Sequence, residues 1–297
     1  MRFTRKKKNK NFNRISKRHL FIGGEGDGKC VYANLGGGTG LGNQLFIYAA
    51  GIVVKNRTGL PLCLIRAHSN PHSKTNYTKV FKQGSGVNSS NTDPKLKNSK
   101  KLHEGQGVYN KWLNKNIPVN KSTNIFLSGG LYQNYESINS ALPFMRGDFL
   151  KEFGELYPNE FSELKDPNIQ KKTACVHVRR GDFVGIAQNS SLEYFNSALA
   201  LFENNKDIDT LYIISDDIEW CKAQKWITTK KINYFGDPDE IKTLYLMMLC
   251  KGGFILSAST YSAWGAMLGA DENQQSTIVY PKGWGLQLMF PSRWNMI

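Results

Sequence analysis

Two arginines, a glycine and an aspartate, Arg179-Arg180-Gly181-Asp182, close a short apolar run, Ala174-Cys-Val-His-Val178. Small and β-favouring residues in such a run read as a buried strand. That strand delivers two guanidinium groups to its carboxyl end. A guanidinium is a planar fork of donors that matches phosphate oxygens, and it stays charged at any working pH. In open α/β sheets, ligands sit at the carboxyl ends of strands. The stretch from His177 to Asp182 therefore reads as a phosphate-facing site. The competing reading is an Arg–Asp ion-pair corner that only pins a loop.

Two further strand ends carry polar groups. Thr210-Leu-Tyr-Ile-Ile-Ser215 runs into Asp216-Asp217, and Phe254-Ile-Leu-Ser257 runs into Ala258-Ser259-Thr260-Tyr261-Ser262. Hydroxyls and backbone N–H groups at the start of a helix suit a phosphate. Either aspartate is equally suited to capping the helix expected from Ile218. Guanidinium, carboxylate and hydroxyl groups on one rim are what a nucleotide diphosphate needs.

A fourth candidate lies near the amino end. The expected strand Cys30–Leu35 runs into Gly36-Gly-Gly-Thr-Gly-Leu-Gly42-Asn43-Gln44, and Leu45 to Val54 reads as a buried helix. Glycines allow close approach of backbone to ligand, and a helix start favours an anion or polar group. The Lys-Ser/Thr of a Walker loop is missing, and so is the dinucleotide pattern G-x-G-x-x-G. What stands out is Asn43-Gln44, two amides where a helix begins. An ordinary N-cap and its neighbour is the alternative.

The elements that must hold these groups follow from periodicity. Pro61–Ile65 and Ile125–Gly130 read as strands. Leu142 to Tyr157 reads as a helix with Pro143 in its first turn and Leu142, Met145, Phe149, Phe153 and Leu156 on one face. From Thr173 onward, strands and helices alternate through Tyr280, which means a parallel sheet with right-handed crossovers. The polar, proline-containing stretch 158–170 marks a boundary. The expected division is a basic arm over 1–20, a first domain over 25–165 and a second over 170–297. The polar region from Arg66 to Ser122, with Val108-Tyr109 and Trp112-Leu113 as its apolar spots, is expected to shape an acceptor pocket. Its His68, His72 and His103 are not spaced as a metal set.

The chain has 297 residues and a formal charge of +15, and nine of the positive charges fall in its first 18 residues. Removing the arm leaves a modestly basic body, suited to an anionic substrate without requiring nucleic acid. The arm reads as a solvated tail, with weak contact to an anionic membrane surface or nuclear import as sharper alternatives. The five cysteines, Cys30, Cys63, Cys175, Cys221 and Cys250, are scattered and form no C-x-x-C pair. They are expected to be buried small hydrophobes in a reducing compartment, not disulfides or metal ligands. No apolar stretch is long enough to span a membrane and no secretory signal is apparent, so a cytoplasmic location is expected.

Five fragments in order resemble one family. They are Gly40-Leu-Gly-Asn-Gln-Leu-Phe-Ile-Tyr-Ala, His177-Val-Arg-Arg-Gly-Asp-Phe, Ile214-Ser-Asp-Asp-Ile-Glu-Trp-Cys, Leu244-Tyr-Leu-Met-Met-Leu-Cys-Lys and Ser259-Thr-Tyr-Ser-Ala-Trp-Gly-Ala. Together they resemble the motifs of the inverting, GDP-fucose-dependent α-1,2-fucosyltransferases. The resemblance implies a GT-B-like fold of two Rossmann-like domains with a cleft between them. It implies GDP-fucose as donor, a galactose-type hydroxyl of a glycan as acceptor, and neither cofactor nor metal. Arg179, Asn43 and Asp182 would be the catalytic residues. His177, Arg180, Asp216, Asp217, Ser259, Thr260, Tyr261 and Ser262 would bind the donor, and Gly42 and Gln44 would lie on the acceptor side. Relatives usually carry an acidic residue where this chain has Thr243, with Asp239 and Glu240 one turn upstream as substitutes. Another nucleotide sugar or acceptor, or a non-catalytic sugar- or nucleotide-binding protein, are the alternatives.

Overall fold

The computed structural model describes residues 28–35, 39–65, 81–87, 94–103, 123–185, 190–270, 276–284 and 289–297. The basic arm, Gly36 to Gly38, and the expected acceptor-pocket residues His68, His72, Val108, Tyr109, Trp112 and Leu113 lie outside the described residues.

The first sheet contains β1 (Val31–Asn34), β2 (Leu62–Ile65), β3 (Gly84–Val87), β4 (Lys100–His103) and β5 (Ile125–Gly129). Its order is β3-β2-β1-β5-β4, parallel throughout. The second contains β6 (Thr173–Val178), β7 (Thr210–Ser215), β8 (Lys231–Phe235), β9 (Gly253–Ile255), β10 (Thr277–Tyr280) and β11 (Asn295–Met296). Its order, β11-β10-β9-β6-β7-β8, is also parallel. Counted from β6 this is the 3-2-1-4-5-6 arrangement, whose direction reverses between β6 and β9. In the first sheet the reversal falls between β1 and β5.

The helices among the described residues are α1 (Leu41–Thr58), α2 (Pro94–Lys97), α3 (Tyr135–Ile138), α4 (Leu142–Leu156), α5 (Pro167–Lys172), α6 (Gly181–Gly185), α7 (Leu192–Glu203), α8 (Ile218–Lys222), α9 (Glu240–Leu249) and α10 (Thr260–Gly269). Helix α1 begins four residues before the expected Leu45, and most of its surface is buried. A helix apolar all round belongs between two layers. One side covers β1 and β2, and the other meets the second domain, where Phe46 packs edge-on to Trp264 at 4.9 Å. Helix α4 buries Leu142, Met145, Phe149 and Phe153 as its period predicts, whereas Leu156 stays 37% exposed at its end.

One hydrophobic cluster runs through both domains. Rings run from Tyr48 of α1 through Phe149 and Phe153 of α4 to Tyr245 of α9, with centroids 6.4, 5.2 and 6.0 Å apart. Each fully buried aromatic contributes about 1.5–3 kcal/mol, so this chain is a substantial tie between domains. Arg146 of α4 adds hydrogen bonds to the Met267 and Leu268 carbonyls, closing the last turn of α10. The result is the GT-B-like arrangement of two Rossmann-like domains with a cleft where their strand ends face each other.

One expectation is corrected. Cys30 and Cys63 form a disulfide, with Cα atoms 5.9 Å apart. Their 33-residue separation in sequence hid this. Pairing of β1 with β2 sets Tyr32 opposite Cys63 and brings Cys30 within reach. Cys175, Cys221 and Cys250 are free and buried, as read.

Candidate active site

A cleft of about 340 Å³ opens between the domains at both reversal points. Its first-domain wall is the start of α1, including Gly42 and Asn43. Its second-domain wall comes from the ends of β6, β7 and β9 and from the starts of α9 and α10.

Arg179 is the central cation. Its Nη1 lies 2.8 Å from Asp216 Oδ2 and its Nη2 lies 2.7 Å from Asp182 Oδ1. Two carboxylates from two strand ends therefore hold one guanidinium in a single orientation. The side chain remains 34% exposed, so the fork still has a face toward the cleft. Phe183 stands beneath it, with the guanidinium carbon 5.5 Å from the ring centroid. The ion-pair corner and the cleft-facing cation turn out to be one construction. Gly181 is required by it, because a Cβ there would fall 2.6 Å from Asp216 Oδ2.

Arg180 takes the opposite course. Its guanidinium stacks on Trp220 at 3.8 Å, and its Nε pairs with Asp217 Oδ2 at 3.0 Å. Asp217 also accepts the Trp220 N–H and so caps α8, the alternative considered for it. Asp216 instead accepts the Arg180 N–H at 2.9 Å and keeps its second oxygen for Arg179. Consecutive residues at a strand end point to opposite sides. Arg180 and Asp217 are accordingly not among the residues lining the cleft, while Arg179 and Asp216 are.

His177 is buried at the base of the cleft, its Nδ1 3.1 Å from Ser257 Oγ. Burial, with the nearby Arg179 charge adding to it, pushes its pKa down to about 3. The ring is therefore neutral at any ordinary pH. Ser257 Oγ also accepts the Arg179 N–H, which joins the ends of β6 and β9. Ser259, Thr260 and Tyr261 line the cleft at the start of α10. Ser262 does not, because its fully buried hydroxyl turns inward to accept the Ser257 N–H.

Across the cleft, Asn43 lies inside the first turn of α1, whose N-cap is Gly40, so the N-cap alternative does not hold. Asn43 lines the cleft and its Oδ1 accepts a hydrogen bond from Gln133 Nε2 at 2.8 Å. Gln44 is buried, donates to the Thr39 carbonyl and is not among the lining residues.

Sequence reasoning missed Gln133, which follows β5 with no motif to mark it, and gave no role to Asp237 and Phe183 on the wall; Ser215, at the strand end read as polar, lines it too. Of the two acidic substitutes for Thr243, Glu240 faces the cleft together with Thr243. Asp239 caps α9 and accepts the Tyr157 hydroxyl proton at 2.7 Å. Among the described residues no group of three or more His, Cys, Asp or Glu side chains is placed to hold a metal ion, and no helix is long and apolar enough to cross a membrane.

Comparison with known proteins supplies the family. The model of the family described as Glycosyl transferase family 11 matches residues 109–284. The O-antigen biosynthesis glycosyltransferase WbnK of Escherichia coli is 28% identical over 136 residues, 40% of this chain and 43% of that protein. The match thus spans less than half the length of that relative. An alpha-1,2-colitosyltransferase of Escherichia coli is 27% identical over 266 residues, 80% of this chain and 87% of that protein. Among solved structures, the fucosyltransferase NodZ from Bradyrhizobium aligns with a TM-score of 0.48 at 12% identity, covering 81% of this chain and 92% of that one. A mutant of Arabidopsis thaliana FUT1 in complex with GDP aligns with a TM-score of 0.45 at 12% identity, covering 90% and 72%. The family model alone spans more than half of the chain, and the protein is a glycosyltransferase that belongs to glycosyl transferase family 11.

Proposed function

We propose that the protein transfers L-fucose from GDP-fucose to a galactose-type hydroxyl of a glycan, forming an α-1,2 linkage with inversion. The observation that carries this reading is Arg179, a cleft-facing guanidinium held by two carboxylates opposite Asn43 of the other domain. The acceptor oxygen attacks the sugar carbon as the bond to the β-phosphate oxygen breaks. The electron pair leaves on GDP, and Arg179 stabilises that charge. A fixed donor aimed at developing charge is worth about 10²–10³ in rate. This supports transfer with neither metal nor cofactor.

Asp182 is the more exposed of the two carboxylates on Arg179, at 58% against 27% for Asp216. It is open to the acceptor hydroxyl and is our candidate for receiving its proton. The neutral His177 packs beside the nucleotide, and Ser259, Thr260 and Tyr261 line the diphosphate. Glu240, on the cleft beside Thr243, takes the guanine edge in place of the acidic residue usual at 243. The basic arm plays no part in transfer, so protein lacking residues 1–20 should keep its turnover.

A second donor has its own support. The relative aligned over 80% of this chain is named for colitose, the 3-deoxy analogue of fucose. The deciding assay measures GDP release from GDP-fucose and GDP-colitose, with EDTA and a galactose-terminated acceptor, beside Arg179→Ala. Acceptor-dependent release from GDP-fucose in EDTA, lost in the variant, supports the fucosyl reading. Release from GDP-colitose alone replaces the donor, and absence of binding by either removes the assignment.

A further inference from the structure

We infer that Gln133 is a positioning residue that sets which end of the Asn43 amide faces the substrate. The inference rests on the proposed function for what the substrate is, but its geometry stands apart from it. Asn43 lines the cleft, whereas Gln133 is not among the lining residues and reaches Asn43 with one hydrogen bond, Nε2 to Oδ1 at 2.8 Å. An amide that accepts through its oxygen on one side is left to offer its N–H₂ on the other. Asn43 therefore presents donors, not an acceptor, to the hydroxyl and phosphate oxygens of a bound nucleotide sugar and glycan.

The loop that carries Gln133 is built to hold this orientation. Gly130 has φ +90° and Tyr132 has φ +55°. A bulky side chain in the left-handed region is a rare and costly conformation that persists only where its surroundings impose it. Here they do. Tyr132 is buried and its hydroxyl donates to the Leu102 carbonyl at 2.9 Å. Its own carbonyl accepts the Asn134 N–H, and the Asn134 side chain caps α3 by accepting the Ser137 N–H. Residues on both sides of Gln133 are thus tied to β4 and α3, and the strained turn aims one side chain at Asn43. Such strain is a recurrent mark of functional positioning.

The near-isosteric Gln133→Glu is the discriminating variant. An ionised carboxylate only accepts, so Asn43 must rotate to donate to it and turn its carbonyl toward the cleft. We expect kcat/KM to fall by about tenfold or more at neutral pH, as for one misplaced substrate hydrogen bond, with thermal stability close to wild type. Gln133→Ala, which leaves Asn43 free to turn either way, should cost less. In an Asn43→Ala background neither change should cost anything further, because the partner through which Gln133 acts is gone. A merely structural residue would keep its full penalty there. Near-wild-type activity of Gln133→Glu, or an undiminished loss in the Asn43→Ala background, overturns the inference. If Arg179→Ala and Asn43→Ala are both fully active, it is the functional reading that fails. The side-chain amide signals of Asn43, assigned by their loss in Asn43→Asp, decide the orientation without any substrate. They should move strongly in Gln133→Glu, and unchanged signals also overturn the inference.

Discussion

Gly42 of the first domain approaches Tyr261 of the second so closely that a Cβ on Gly42 would lie 2.4 Å from the Tyr261 nitrogen and 2.6 Å from Thr260 Oγ1. Backbone meets backbone at the point where the starts of α1 and α10 frame the cleft. The glycine is therefore a seam between domains, and it sets the distance between Asn43 and the Ser259–Tyr261 segment. Because one of the opposing atoms is backbone, no rotamer change relieves the overlap.

Gly42→Ala should therefore destabilise the protein by about 1–3 kcal/mol, the usual cost of overpacking a tight contact. It should also reduce kcat/KM by widening the cleft. Thermal unfolding and steady-state transfer, measured on the same preparation, check both. A fully stable, fully active variant would show that the seam yields without consequence.

The Arg179 bracket separates activity from stability. Its ion pairs are partly exposed, so each adds at most about 1 kcal/mol to folding. Arg179→Ala should leave the melting temperature nearly unchanged and lower turnover by about 10²–10³. Asp216→Asn should harm turnover more than Asp182→Asn if holding the guanidinium is their only role, because Asp216 also fixes the Arg180 backbone. A larger loss in Asp182→Asn, together with loss of the acidic limb of the pH–rate profile, would identify Asp182 as the proton acceptor.

His177 predicts a stability effect of known sign. Its folded pKa is about 3, below the ordinary 6.5. Between those values the unfolded chain binds a proton that the folded chain refuses. The contribution to stability is fully present above about pH 6.5 and is lost progressively as pH falls toward 3, at up to about 1.4 kcal/mol per pH unit. Urea unfolding of wild type and His177→Asn at pH 7 and pH 5 measures it. The variant should lose less stability on acidification. An equal loss in both would mean that His177 is not the group responsible.

The Cys30–Cys63 bridge closes a loop of 33 residues in the first domain. Its removal should cost about 2–4 kcal/mol by freeing the unfolded chain. Cys63→Ser, or wild type with a reductant, should melt lower than oxidised wild type, and the reductant should not lower the melting point of the variant further. Equal melting of oxidised and reduced protein would sink this expectation.

The alternation of strands and helices from Thr173 to Tyr280, the amphipathic α4 and the polar ends of β6, β7 and β9 were legible in the sequence, because period and strand-terminal residue type are local properties. So were Arg179, Asn43 and the residues starting α10, through types and spacing that form ordered motifs. The short strands β3 and β4 were not legible, because four-residue segments in polar sequence carry too little periodicity to stand out. The direction each polar side chain takes was also beyond reach. Arg179 and Arg180 are identical in type and adjacent, and only the alternation of the backbone, with Asp216 on one side and Trp220 on the other, sends one to the cleft and the other away from it. Asp216 and Asp217 divide in the same manner between bracket and cap. Gln133 and Asn43 are 90 residues apart, as Cys30 and Cys63 are 33 apart. Their pairing follows from β1 lying between β2 and β5, a neighbour relation that no local pattern encodes. Sequence thus determined the chemistry available and the elements carrying it, and tertiary structure alone decided which groups face each other across the cleft.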